Sequence, residues 1–261
     1  MKAREGVYQH FRVDERPFIE RVGDWIDIVT MRHQPYLTDF LNPRERYILS
    51  TLAQQATDVT FSFDGGYDHA EYARCLLAPN YWHPQSDEFS LAFLRITGAS
   101  QFQSLEHRDY LGAIMNLGIK PDKIGDLIVD GDICQLVTTD EMATFVRLNL
   151  HHVHRVRVSV EEIKREQLVI NEKALREQTV TVASPRLDAV LSAVFPLSRS
   201  KVVPLIQSGK CKLNWKVEEN PAVLVGMDDT LSLRGYGRVH VLAVEGLTKR
   251  GRIRLTVGKP I

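Results

Sequence analysis

The sequence predicts an α+β protein in three parts. These are a helical N-terminal region over residues 1–57, an α+β split-βαβ domain over residues 58–182, and a basic C-terminal module over residues 183–261. Three observations predict this division. At 261 residues and 44% hydrophobic side chains, the chain can build two or three compact units with their own cores. Apolar residues recur at helical spacing near the start, and strand-like runs alternate with helical ones from about Val59 onward. Charge is also segregated. The whole chain balances 33 Lys and Arg against 33 Asp and Glu, but from Ala183 onward the count is 13 against 6, and over residues 1–182 it is 20 against 27. A neutral chain therefore carries a basic module on an acidic body, which suits a polyanionic partner at one end.

In the first part, Phe18, Val22, Trp25, Ile26 and Val29 recur at helical spacing. Asn42-Pro43-Arg44-Glu45 reads as a capped helix start, with Asn42 as the cap and Pro43 at the first helical position. In the second part the expected order is a strand at Val59–Phe63, a turn at Gly65-Gly66 and a helix at Ala70–Leu77. A strand at Phe89–Thr97 and a helix at Tyr110–Leu117 follow. Then come a hairpin of Asp126–Val129 and Ile133–Thr138 around Asp130-Gly131-Asp132, a helix at Asp140–Leu150 and a strand at Arg155–Val160. That order suggests a split-βαβ sheet resembling ferredoxin-like or RNA-recognition domains.

In the third part, Ser184-Pro185 starts a helix whose apolar stripe is Leu187, Val190, Leu191 and Val194, and Pro196 stops it. Ser198 can cap a second helix carrying Val202, Leu205 and Ile206, and Gly209 suits its left-handed end. Cys211, Leu213 and Trp215 then alternate with Lys210, Lys212, Asn214 and Lys216, as in a half-buried strand with a basic outer face. This order should bring Arg199, Lys201, Lys210 and Lys212 near one another, with Arg199 and Lys201 replaceable at no cost to the fold. Further on lie Arg234-Gly235-Tyr236-Gly237-Arg238 and Thr248-Lys249-Arg250-Gly251-Arg252. Arg252 and Arg254 should leave the same side of a strand, and guanidinium forks suit phosphate. Tyr236 could stack on a base.

The order Arg186-Leu187-Asp188, Ser198-Arg199-Ser200-Lys201, Leu205-Ile206 with Gly209-Lys210, then Leu213-Asn214 resembles the S4-type RNA-binding domain. Gly226-Met227-Asp228-Asp229 resembles its closing turn. Trp215 stands where that pattern commonly has Gly, and Pro204 falls inside the second helix. The resemblance implies RNA contact through Arg186, Ser198, Arg199, Lys201, Lys210, Lys212, Asn214 and Lys216, and the adjoining basic runs of the same charge sign add Arg234, Arg238, Lys249, Arg250 and Arg252. Motifs elsewhere extend it along nearly the whole chain to the bacterial YlmH family. They are His10-Phe11 with Asp14-Glu15-Arg16-Pro17-Phe18, Phe40-Leu41-Asn42-Pro43-Arg44-Glu45-Arg46 and Gly65-Gly66-Tyr67. His107-Arg108-Asp109-Tyr110-Leu111-Gly112-Ala113 and Leu117-Gly118-Ile119 with Lys123-Ile124-Gly125-Asp126 follow, and the C-terminal Arg234–Arg238 and Thr248–Arg252 runs belong to the same pattern. The family usually has a more basic helix after its Gly-Gly-Tyr. Here Ala70-Glu71-Tyr72-Ala73-Arg74-Cys75 stands there, so no RNA contact is carried over from it.

His107-Arg108-Asp109 is the most enzyme-like cluster, but it reads better as a helix start with Asp109 capping. His151-His152 and His154 invite a metal reading, yet no Cys and no second ligand pair at metal spacing lies near them. No phosphate-binding loop or hydrolase motif occurs. Cys75, Cys134 and Cys211 are odd in number and far apart, as expected of free thiols in a reducing cytosol. No run of about 18 apolar residues exists to span a membrane, and the charged opening residues lack an apolar signal core. The expectation is a non-catalytic cytoplasmic protein without metal or cofactor. The family resemblance implies structured RNA as its partner, large-subunit rRNA and tRNA on the ribosome. Two alternatives stand beside it. One is a scaffold binding cell-division proteins through the acidic half. The other is an RNA-modifying enzyme of the pseudouridine synthase kind, whose catalytic domain follows its RNA module, whereas here the module comes last.

Overall fold

A computed structural model describes residues 11–98, 105–170, 175–248 and 251–260. The chain forms two compact units, residues 1–170 and 171–261.

The first unit begins with helix α1 (Arg16–Arg32), strand β1 (Tyr36–Leu41) and helix α2 (Pro43–Ala53). Helix α2 starts where expected. Asn42 Oδ1 accepts from the N–H groups of Arg44 and Glu45, and the Glu45 carboxylate accepts the Asn42 N–H at 2.9 Å. Strands β2 (Val59–Asp64) and β3 (Ala73–Pro79) complete a three-stranded antiparallel sheet in the order β1-β3-β2. Phe18, Val22, Ile48, Leu49, Cys75 and Leu77 form the core between this sheet and the two helices.

Two sequence expectations fail here. The Ala70–Leu77 segment is not a helix, because its apolar run is the central strand β3, buried throughout between β1 and β2. A short apolar run does not reveal its own period. Nor does a helical part end at residue 57. The sheet takes β1 from before that point and β2 and β3 from after it.

The rest of the unit is β4 (Leu91–Thr97), α3 (His107–Met115), β5 (Ile124–Asp130), β6 (Ile133–Thr139), α4 (Asp140–Asn149), a small hairpin of β7 (His152–Val153) and β8 (Val156–Arg157), and β9 (Ser159–Ile163). The four long strands form an antiparallel sheet in the order β5-β6-β4-β9. With α3 after β4 and α4 after β6, this is the split-βαβ arrangement the sequence implied. It starts at β4 rather than at Val59. Leu94, Ile96, Cys134, Leu136, Tyr110 and Val146 form its core on the helix side. The strand expected at Arg155–Val160 is divided between β8 and β9.

The second unit holds β10 (Leu175–Val182), α5 (Leu187–Val194), α6 (Arg199–Gln207), β11 (Cys211–Leu213), β12 (Lys216–Val217), β13 (Thr230–Leu233), β14 (Gly237–Leu247) and β15 (Ile253–Pro260). Its antiparallel sheet runs β10-β15-β14-β13-β11-β12. Leu187, Leu191, Val202 and Ile206 from the helices meet Leu231, Val239, Leu255 and Val257 from the sheet in one core. The boundary expected at 182/183 lies about a strand too late. Strand β10 pairs with β15 over eight residues, from Leu175↔Pro260 to Val182↔Ile253, and Val180 and Val182 enter this core.

Candidate nucleic-acid interface

The surface built around α5 and α6 begins with a buried acid. Asp188, 2% exposed, sits in the first turn of α5. Arg186 Nε and Nη2 each lie 3.2 Å from its carboxylate, and Arg199 Nη2 donates to the Asp188 Oδ2 that Arg186 Nη2 also reaches. Burial pushes the Asp188 carboxyl up, but hydrogen bonds and charge from Arg186 and Arg199 outweigh it and hold the group below its usual range. Two of the residues assigned to RNA are therefore also the clamp joining the starts of α5 and α6. The expectation that Arg199 can be replaced without cost to the fold does not survive this. The start of α5 is further held by the Leu187 N–H to Val223 O at 2.8 Å and the Asp188 N–H to Pro221 O at 3.1 Å.

Ser198 stands at the cap position of α6, but its hydroxyl bonds the Ser200 hydroxyl at 2.8 Å and no backbone N–H. Lys201 is exposed in the first turn. The helix ends at Gln207, and Gly209 just beyond it has a φ of +70° that closes the helix as expected. At 1.5 Å per residue, Lys201 lies about 9 Å along the axis from Gln207, the last residue of the helix. The strands bring together a further group. Lys212, Ser232 and Arg238 are register partners across β11, β13 and β14, so their side chains share the outer face. The Arg234 N–H donates to Lys210 O at 2.9 Å, setting these two cationic residues side by side at the end of β11 and β13.

The β11–β12 turn explains the odd tryptophan. Asn214 and Trp215 both have positive φ, 50° and 63°, as a two-residue hairpin turn requires. The Arg238 guanidinium lies 5.2 Å from the Trp215 ring centroid, a cation–π contact that a glycine could not make. The Asn214 carboxamide is engaged within the fold. It donates to Asp229 Oδ1 at 2.7 Å and accepts the Thr230 N–H at 2.8 Å. Asp229 also accepts the Gly226 N–H at 2.7 Å, which makes residues 226–229 the closing turn.

Of the later basic groups, Arg252 Nη2 donates to Thr181 O at 2.8 Å, and Arg254 Nη1 lies 3.5 Å from Glu245. Lys249 and Arg250 lie outside the described residues. Tyr236, 47% exposed, leans on Phe195 with ring centroids 6.3 Å apart. Among the described residues, Lys201, Lys210, Lys212, Lys216 and Arg234 are the module's assigned cations whose side chains have no partner, and all can meet an outside anion.

In the first unit, the two histidine motifs meet. His154 Nε2 lies 3.0 Å from Asp109 Oδ1, and Asp109 Oδ2 accepts the Glu106 N–H at 2.8 Å. The helix-start bond, His154 and the nearby Arg108 hold the Asp109 carboxyl below its usual range. Among the described residues no group of three His, Cys, Asp or Glu gathers to hold a metal. The Gly65-Gly66-Tyr67 motif is also occupied within the fold. The Tyr67 hydroxyl donates to Asp126 at 2.5 Å, and the N–H groups of Glu71 and Tyr72 reach the same carboxylate. Arg74, which the sequence set in a helix, is buried in β3 and donates to the carbonyls of Thr38, Phe89 and Ser90. Among the described residues no helix is long and apolar enough to cross a membrane.

These features define a class. It is a mixed α+β protein in which an acidic body with a split-βαβ sheet is joined in one chain to a separate, basic two-helix-and-sheet module. Residues 14–82 match the family model "YlmH, N-terminal", and residues 84–167 match "Putative RNA-binding domain in YlmH". The chain is 41% identical over 250 residues to "Ribosome-associated protein quality control protein P2" of Bacillus subtilis (strain 168), covering 96% of this chain and 97% of that protein. It also resembles the structure of "Cell division protein ylmH from Streptococcus pneumoniae", with a TM-score of 0.56 and 28% identity over 62% of this chain and 99% of that one. The chain belongs to the YlmH family. The RNA-binding family model falls on β4 to β9, whereas the residues assigned to RNA from the sequence all follow Pro185.

Proposed function

We propose that this protein is a non-catalytic RNA-binding factor that associates with the ribosomal large subunit in the cytoplasm, at rRNA and tRNA, and serves the rescue of stalled ribosomes. The observation that carries this reading is the set of unpartnered cations Lys201, Lys210, Lys212, Lys216 and Arg234 on a module with a formal charge of +7. Fixed strands and a helix hold these cations at set spacings, which suits a folded RNA better than a loose charge run does. The name of the Bacillus subtilis relative supports the ribosome as the place where such RNA is met. Co-sedimentation with purified large subunits tests it. The variant Lys210→Ala/Lys212→Ala/Arg234→Ala should sediment poorly, and the slope of log affinity against log salt should fall by about three units. Unchanged co-sedimentation by that variant would remove the module from the interface.

The name of the Streptococcus pneumoniae relative favours a second reading, a scaffold for cell-division proteins. Pull-down from nuclease-treated lysate separates the two. A division-protein partner retained after nuclease supports the scaffold, and a ribosomal signal lost with the RNA supports the first reading.

A further inference from the structure

We infer that the hairpin at residues 151–157, together with Arg108, is a second RNA-phosphate contact surface, carried by the acidic body rather than by the basic module. The inference rests on the RNA reading above and assigns a place on the body to it.

The first observation is a closed face. RNA-recognition domains, which share this strand order, read RNA by stacking bases on aromatic side chains of the open sheet surface. Here the helix-free face of β5-β6-β4-β9 carries Phe93, which is 6% exposed and packs with Phe40, Val137 and Ile163. A Cβ on Gly66 would come within 2.5 Å of the Phe93 ring, so main chain lies directly over it. Beside it Gln135, 2% exposed, donates to Val169 O at 2.7 Å and accepts the Val169 N–H at 2.8 Å. No base can stack there, so RNA must meet this domain elsewhere.

The second observation is the hairpin itself. Val153 and Val156 are buried and anchor it to the core, while His151, His152, His154, Arg155 and Arg157 are exposed. His152 and Arg157 are register partners, so both leave the same side of the hairpin. The His154–Asp109 bond ties the turn to the start of α3, where Arg108 is 80% exposed.

The third observation is the charge balance within this patch. Two acids beside the hairpin are already engaged, Asp109 by His154 and the helix start, and Glu106 by Arg108 at 3.2 Å. An exposed pair of that kind is weak and can open toward a phosphate. Arg155 and Arg157 have no side-chain partner among the described residues. A group of unneutralised guanidinium forks on a body that is otherwise acidic fits a polyanion, and phosphate is the anion that RNA presents.

The test uses the full chain and a fluorescent RNA stem–loop, titrated across a range of salt concentrations. Arg155→Ala/Arg157→Ala should weaken binding about ten-fold or more and lower the salt slope by about two units. Arg95→Ala/Arg147→Ala removes the same charge from body arginines already paired with Glu161 and Glu162, and should leave both quantities unchanged. Equal losses in the two variants would reduce the effect to net charge and overturn the inference. Wild-type binding by the hairpin variant, with loss in Lys210→Ala/Lys212→Ala/Arg234→Ala, would overturn it while leaving the module's role standing. If the wild-type chain binds no RNA, the reading it rests on fails with it. Arg155→Lys/Arg157→Lys should retain the salt slope. Should the alanine variant unfold, Arg155→Gln/Arg157→Gln replaces it with the same expectations.

Discussion

Asp188 has the clearest dual consequence of any single residue here. With its carboxylate almost fully buried, its charge is tolerable only because Arg186 and Arg199 both reach it. Arg199→Ala should therefore cost about 1–3 kcal/mol of stability at neutral pH, since a buried acceptor loses a charged donor. The pH dependence follows from the depressed folded-state titration. The pairing stabilises the fold above the unfolded carboxyl's value of about 3.9 and loses that effect as pH falls through the lower folded value. The gap between wild type and Arg199→Ala should thus be widest near neutrality and narrow in acid. Thermal unfolding from neutral pH down to about pH 3 measures it, and a gap independent of pH would show that the ion pair is not its cause. The sequence showed Arg186-Leu187-Asp188 and Ser198-Arg199 as motifs, but not that they close on each other. Nothing in a linear order tells whether a cation faces RNA or a carboxylate eleven residues away. Asn214 has the same double reading. Its amide reads as a surface donor until Asp229 and Thr230 are seen to use it.

At the scale of elements, strands and helices with a clean period were legible, and short buried runs were not. Helix α2 announced itself through Asn42 and Pro43, and the β5–β6 hairpin through Asp130-Gly131-Asp132. Strand β3 did not, because all seven of its residues are buried and its leucines fit either period. The turn before it, by contrast, is specified tightly. Gly66 has a φ of +92°, and an added Cβ would meet the Phe93 ring at 2.5 Å. Left-handed strain costs about 1–2 kcal/mol and overpacking about 1–3 kcal/mol, so Gly66→Ala should destabilise the full chain by about 2–5 kcal/mol. Urea unfolding reads this directly. A loss under about 0.5 kcal/mol would mean that Phe93 simply moves aside, and the closed sheet face would then be less closed than drawn. The same close approach explains why the motif need not touch RNA to matter. It lets the main chain lie over the sheet that an RNA-recognition fold would leave open.

For the whole molecule, the decisive question is where the basic module begins. The charge switch marks Ala183, but charge reports the surface and not the fold. Strand β10 adds two Lys or Arg and two Asp or Glu with its approach, residues 171–182, so it is electrostatically silent while pairing with β15 along eight residues. A fragment of residues 171–261 should unfold cooperatively, because it keeps Val180 and Val182 in the core and covers the β15 edge. A fragment of residues 183–261 should melt lower or aggregate, since it leaves a long strand edge unpaired. Equal melting temperatures would show that β10 is dispensable and return the boundary to the charge switch. The longer fragment then measures how RNA binding is shared between the units. If the module held every phosphate contact, its salt slope would equal that of the full chain. With the 151–157 hairpin contributing through Arg108, Arg155 and Arg157, the full chain's slope should exceed the fragment's by about three units. An equal slope, measured on the same stem–loop, would confine phosphate contact to residues 171–261.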